Sequence, residues 1–184
     1  MKQQVLLVVL ALTSTFSTAL AQPAPPPAPP PPCTSEEFRA FDFWLGNWNV
    51  TTPQGQQAGH NTITSAAAGC LLIEHWQGVQ GGSGQSYNFY DATTRQWRQL
   101  WVSPDVIIDY AGGLVDGAMQ LEGEISYQNT GVREKFRGRW VPLENGNVRQ
   151  ELRQWNRQTE TWDDWFIGIY APVDAPQTPP RASG

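Results

Sequence analysis

Lysine is nearly missing from this chain. It occurs only at Lys2 and Lys135, so ten of the 12 cationic residues are arginine. Against 17 Asp and Glu the formal net charge is −5, or −6 once Lys2 leaves with an N-terminal leader. Such an acidic chain lacks the basic footprint that a phosphate backbone requires, which argues against nucleic acid as a partner. Arginine in place of lysine favours directed, planar hydrogen bonding over diffuse charge contacts. Histidine is as scarce. His60 and His75 stand alone on predicted strands, with no H-x-x-H or H-E-x-x-H spacing, so no metal or other cofactor is expected. No G-x-S-x-G elbow marks a nucleophile. The Gly-rich run 81–84 has no helix behind it to bind phosphate.

Long apolar runs are also lacking. The one candidate, Val5–Leu12, follows Met1-Lys2 and precedes Ala19-Leu20-Ala21, a small-x-small cleavage pattern. This is a secretory leader, too short to span a bilayer permanently, with cleavage expected after Ala21. Residues 22–32 (QPAPPPAPPPP) form a proline-rich linker, an extended tether in preference to a proline-motif ligand. The mature chain is expected in the periplasm or secreted, without stable membrane insertion. In that oxidising setting Cys33 and Cys70, the whole cysteine complement, read as a disulfide.

What the chain has in excess is aromatic surface. It carries nine Trp, and the densest run is FDFWLGNWNV at residues 41–50. Thr34-Ser35-Glu36-Glu37 offers a hydroxyl cap for a short helix over 35–42, which Gly46 stops. From there strand and turn alternate. Strands are predicted at 47–52, 57–67, 70–77, 85–91, 96–103, 106–112, 117–127, 132–142, 147–156 and 162–171. Turns are predicted at Pro53-Gln54-Gly55, 81–84, Asp116-Gly117 and Asn145-Gly146. Ten short strands in sequence order predict an all-β, up-and-down antiparallel barrel over 33–172, with the helix plugging one end and a disordered tail over 173–184.

Two hairpins can be given a register. A two-residue turn at Asn145-Gly146 pairs Trp140 with Glu151 and Phe136 with Trp155, leaving Arg137 and Gln150 together on the other face. Parity alone does not say which of these faces points inward. In the hairpin 85–103, pairing Asp91 with Gln96 sets Tyr90 against Trp97, Asn88 against Gln99 and Ser86 against Trp101. Amides among aromatics suit a ligand cavity better than a core packed for stability alone, since each buried amide needs a partner. The competing reading has this face in solvent, with Tyr87, Phe89 and Leu100 as core.

DFWLGNW at 42–48, GCLLIEHW at 69–76, SYNFYD at 86–91, WRQLWV at 97–102, RGRWVP at 137–142 and VRQ at 148–150 together resemble an uncharacterised family of exported bacterial proteins. That family, a domain of unknown function, has a lipocalin-like (calycin-like) barrel, and Gly46-Asn47-Trp48 is similar to the G-x-W signature of such barrels. The resemblance implies recurrent polar positions at Glu74, Asn88, Gln99, Arg137 and Gln150, and favours the Arg137/Gln150 face as the inward one. It implies no reaction.

The combined reading is a barrel that binds a small, partly apolar ligand through Glu74, Trp76, Asn88, Tyr90, Trp97, Gln99, Trp101, Arg137 and Gln150. The alternatives are a hydrolase or isomerase using Glu74 as acid or base, and a non-catalytic envelope or interaction domain. No catalytic residue is assigned, and an enzyme is the less favoured reading.

Overall fold

In a computed structural model the described residues are 32–173. The leader, its cleavage site, all but the last residue of the proline-rich segment, and the tail beyond Val173 lie outside them. Ten antiparallel strands close into one barrel in simple sequence order, with β1 completing the ring against β10. They are β1 (Gly46–Thr51), β2 (Gln57–Ala66), β3 (Leu71–Gly78), β4 (Ser83–Asp91) and β5 (Gln96–Val102), followed by β6 (Val106–Val115), β7 (Ala118–Tyr127), β8 (Arg133–Pro142), β9 (Val148–Asn156) and β10 (Thr161–Pro172). Closure leaves no sheet edge to protect.

Several boundaries move for local reasons. The run over 106–112 extends to Val115, because Gly112 and Gly113 pair with Leu121 and Gln120 and do not break the ladder. The turn falls on Asp116 and Gly117, both at positive φ, as a two-residue hairpin demands. Ser83 and Gly84, expected in a turn, begin β4.

The short helix is broken. One α-turn, α1 (Glu36–Arg39), is followed by a 3-10 turn, Asp42–Trp44. Ser35 does not cap the backbone; its hydroxyl donates to the Glu37 carboxylate at 2.6 Å. What holds the segment is tertiary. Phe41 and Trp44 are fully buried, stacked with centroids 5.0 Å apart, and Phe41 meets Trp97 and Trp140 edge-on. Trp97 Nε1 donates to the Glu37 carbonyl at 2.9 Å, and Trp48 Nε1 to the Trp44 carbonyl at 3.0 Å. Gly46, at φ +135°, turns the chain from plug into β1. The Cys33–Cys70 disulfide, with Cα atoms 5.1 Å apart, fastens the plug to the start of β3. Arg39 reinforces this by donating to the Gly69 carbonyl.

The register of β4 and β5 is the expected one: Tyr90↔Trp97, Asn88↔Gln99 and Ser86↔Trp101. Ser86, Asn88, Trp97 and Gln99 are buried, whereas Tyr87 and Leu100 are exposed, so the amide-bearing face points inward. The β8–β9 hairpin departs from expectation by one residue. Leu143 N–H bonds to the Asn147 carbonyl at 2.8 Å, leaving a three-residue loop with Gly146 at φ +79°. Trp140 therefore pairs with Gln150 and Phe136 with Gln154. A one-residue slip exchanges the faces of one strand relative to the other. Phe136, Trp140, Gln150 and Leu152 are buried, while Arg137 and Arg139 lie on the outside. There Arg137 covers the Trp162 ring at 4.3 Å.

Trp48 is a structural residue on this geometry, buried to 4 % exposure beneath the plug. Trp48→Ala should cost about 3–5 kcal/mol, the usual range for removing a buried large aromatic. A guanidinium melt showing an unchanged midpoint would overturn that assignment.

Candidate functional site

The plug fills one end of the barrel; toward the other end a cavity of about 190 Å³ remains open. Its walls are Trp76, Trp101, Ile108, Leu152, Trp165 and Phe166. Its floor is polar, made by Glu74, Gln99, Tyr110, Gln150 and Tyr170. Trp76 and Phe166 meet edge-on at 6.0 Å. Two of the wall rings are set by glycines on neighbouring strands. A Cβ at Gly59 would collide with the Trp76 ring, and one at Gly84 with the Trp101 ring. Each indole thus lies against backbone that only glycine leaves uncovered. Trp165 arrives by another route. The β9–β10 register shifts between Asp164 and Phe166, and this bulge brings both Trp165 and Phe166 to the cavity although they are consecutive in sequence.

Behind the floor runs one continuous hydrogen-bonded chain. Tyr110 O–H donates to Gln99 Oε1, and Gln99 Nε2 donates to Asn88 Oδ1. Asn88 Nδ2 donates to Ser86 Oγ at 2.8 Å, and Ser86 donates to Glu74 Oε2 at 2.5 Å. From the other side Asn61 Nδ2 donates to Glu74 Oε1 at 2.6 Å. The same amide contacts Tyr170 Oη at 3.3 Å, and Tyr170 donates to Gln150 Oε1 at 2.8 Å. Eight side chains from seven strands are joined, and the donors on both sides of Glu74 point toward its carboxylate.

Glu74 is 3 % exposed and has no salt-bridge partner among the described residues. Burial raises its pKa to about 7, against the opposing effect of the bonds from Ser86 and Asn61. Burial, followed by the neighbouring Glu74 charge, pushes the Tyr110 and Tyr170 hydroxyls well above their ordinary range. Both therefore stay protonated donors. His60 and His75 lie on the exposed outer face. Among the described residues no group of three or more His, Cys, Asp or Glu is placed to hold a metal ion.

Of the nine residues picked from the sequence, Glu74, Trp76, Gln99, Trp101 and Gln150 line the cavity. Asn88 stands one layer behind, in the polar chain. Trp97 and Tyr90 belong to the plug end, where Tyr90 packs against Phe38 at 5.1 Å. Arg137 is outside the barrel and takes no part. Sequence reasoning missed Asn61, Ser86, Tyr110, Tyr170, Trp165 and Phe166 as site residues. Alternation in VIIDY would have put Tyr110 on the face of Ile108. The Trp165-Phe166 pair gives no such signal, because the bulge breaks alternation.

No family model matches the chain, and no curated protein matches it.

The buried carboxyl makes stability depend on pH. Below about pH 4.5 the folded and unfolded chains both hold the Glu74 proton. Between that value and about 7 the folded chain keeps a proton that the unfolded chain has released, so stability falls as pH rises. The loss is complete above about 7 and is on the order of 3 kcal/mol. Melting curves of wild type and Glu74→Gln should therefore diverge between about pH 5 and pH 8, with the wild type losing roughly 6–12 °C relative to the variant. Parallel curves would show that Glu74 is not buried as described.

Proposed function

We propose that this protein is an exported barrel that binds a small, mostly apolar molecule about the size of one substituted ring. The observation that carries the reading is an open, aromatic-walled cavity laid over a polar floor inside an otherwise packed barrel. A cavity of about 150 Å³ lined by apolar side chains is enough to take up benzene, and this one is about 190 Å³. That volume suits one ring with a substituent and is too small for a haem or a long acyl chain. Four ring-bearing walls supply the apolar contact, and the floor supplies orientation. Gln150 is positioned to contribute, since among the described residues its side-chain N–H groups have no partner and it lines the cavity.

Export is supported by the Cys33–Cys70 disulfide, a bond that persists in oxidising compartments. The outer wall carries ion pairs such as Arg133–Glu124 at 2.8 Å and Arg153–Asp164 at 2.8 Å. A lipid-facing barrel would present an apolar band there. The resemblance to exported calycin-like proteins is in keeping with this reading.

Proton-transfer catalysis is the second reading. It is favoured by Glu74, a cavity-lining carboxyl whose pKa lies near 7, where an acid–base group is most effective. Binding takes precedence, because among the described residues of the cavity the other ionisable groups, Tyr110 and Tyr170, are pushed well above neutrality and cannot act as its partner.

Titration of the protein with benzyl alcohol, followed by tryptophan fluorescence, tests the binding reading. Saturable change is expected from Trp76 and Trp101. Leu152→Phe, which fills the cavity from β9, should weaken binding at least tenfold while leaving the melting temperature within a few degrees. An absent response, or one insensitive to Leu152→Phe, would refute an interior site.

A further inference from the structure

The cavity has a charge imbalance that its proposed role as a small-molecule site does not explain. Among the described residues that line it Glu74 is the one acidic group, and none is Lys, Arg or His. A carboxylate offers about four lone-pair sites. Asn61 and Ser86 occupy two, so two remain on a group that lines open volume. The neighbouring Asn61 Oδ1 is buried and likewise has no partner. At Glu74 itself the unmatched sites are acceptors, and the unpartnered N–H groups of the floor belong to Gln150. The relay from Tyr110 through Gln99, Asn88 and Ser86 delivers its donors toward the carboxylate, which is the arrangement that stabilises a negative charge. Among the described residues no buried cation meets it.

The walls answer the same need. Trp76, Trp101, Trp165 and Phe166 present aromatic rings around the volume in front of Glu74, and the electron-rich face of such a ring attracts a cation. Outside, the chain's net charge of −5 draws small cations toward it and repels anions.

We propose that the ligand is a small organic cation, a protonated primary amine on about one ring, whose ammonium group ion-pairs with Glu74 while the aromatic walls enclose the rest. The proposal rests on the binding reading above and narrows its ligand class. An ammonium brings three donors, enough for the spare lone pairs of Glu74 and a hydrogen bond to a floor oxygen. A carboxylate ligand would meet a like charge and no cation. A neutral ligand would leave the carboxyl without its counter-charge.

Proton bookkeeping follows. Near neutrality the empty site holds a share of Glu74 in its acid form. Entry of an ammonium ion converts it to carboxylate, and the proton goes to solvent. Among the described residues Tyr110 from β6 and Tyr170 from β10 are the other titratable groups facing Glu74, and both remain neutral hydroxyls throughout. From β2 and β4 the facing groups are Asn61 and Ser86, which do not titrate.

Three probes of matched size decide the matter by calorimetry: benzylamine, benzyl alcohol and benzoate. Benzylamine should bind at least tenfold more tightly than benzyl alcohol at pH 8, and benzoate more weakly than either. The benzylamine advantage should shrink as pH falls from 8 to 5, with proton release visible as a buffer-dependent heat between those limits. Glu74→Gln should remove the advantage of benzylamine over benzyl alcohol. Equal or stronger binding of benzyl alcohol to wild type would overturn the cation proposal and leave the binding barrel standing. Failure of all three probes would remove both.

Discussion

Ten strands closed in register make a ring wider than its own inward side chains fill. Barrel diameter grows with strand number, and at about eight strands side chains alone suffice. The rest of the structure answers that geometric surplus. At one end the surplus is consumed by a segment brought from outside the sheet, with Phe41 and Trp44 inserted among Trp48, Trp97 and Trp140. Among the described residues nothing comparable enters the other end, and there the cavity lies. The aromatic run at residues 41–50 is thus the reason there is a site, although none of its residues touches it.

Filling one end with rings also fixes the depth of the polar layer. Above the plug the barrel carries Asn61, Glu74, Ser86, Asn88, Gln99 and Gln150, each buried. Such a layer is costly unless its members satisfy one another, and a half-satisfied network is worse than an apolar core. Here it joins into one chain running from Tyr110 to Gln150, which leaves Asn61 Oδ1 without a partner and Glu74 without compensation in charge among the described residues. Stability alone would favour a neutral residue at that position, since an uncompensated buried carboxyl destabilises the fold above its own pKa. The strain is concentrated at the one acidic group that faces open volume, where an incoming molecule can relieve it.

How far this was legible in the sequence differs from strand to strand. Ten runs with turn chemistry between them were enough for the barrel. Opposed amides in 85–103 favoured the inward face of β4 and β5 over the competing outward reading, and the pairing of Asp91 with Gln96 that this reading assumed is the one the strands adopt. The β8–β9 pair shows the limit. Asn145-Gly146 favours a two-residue turn, yet the chain adopts a three-residue loop with Gly146 in the left-handed region, and that single residue moves Arg137 to the outside. Parity also carries no depth. Tyr90 and Trp97 share a face with Gln99 and Trp101, but they sit at the plug, because strand stagger decides height along the barrel axis. Tyr110 and Tyr170 complete a network with residues 11 to 109 positions away, a relation that no local pattern encodes.

The glycines sharpen the distinction between a leftover void and a built site. A void that merely escaped packing would be expected to shrink as side chains relax into it. Trp76 and Trp101 are instead held back against the wall, each lying where a Cβ at Gly59 or Gly84 would strike it. Glycine in a strand interior weakens the strand, by roughly 0.5–1 kcal/mol relative to alanine in the general case. Here an added Cβ would strike the Trp101 ring at Gly84, and at Gly59 it would strike both the Gln77 carbonyl oxygen and the Trp76 ring. The bulge that admits both Trp165 and Phe166 carries a similar local cost in unpaired backbone. Three local features, on three different strands, act on the same volume, and they keep aromatic rings around an open space in front of Glu74.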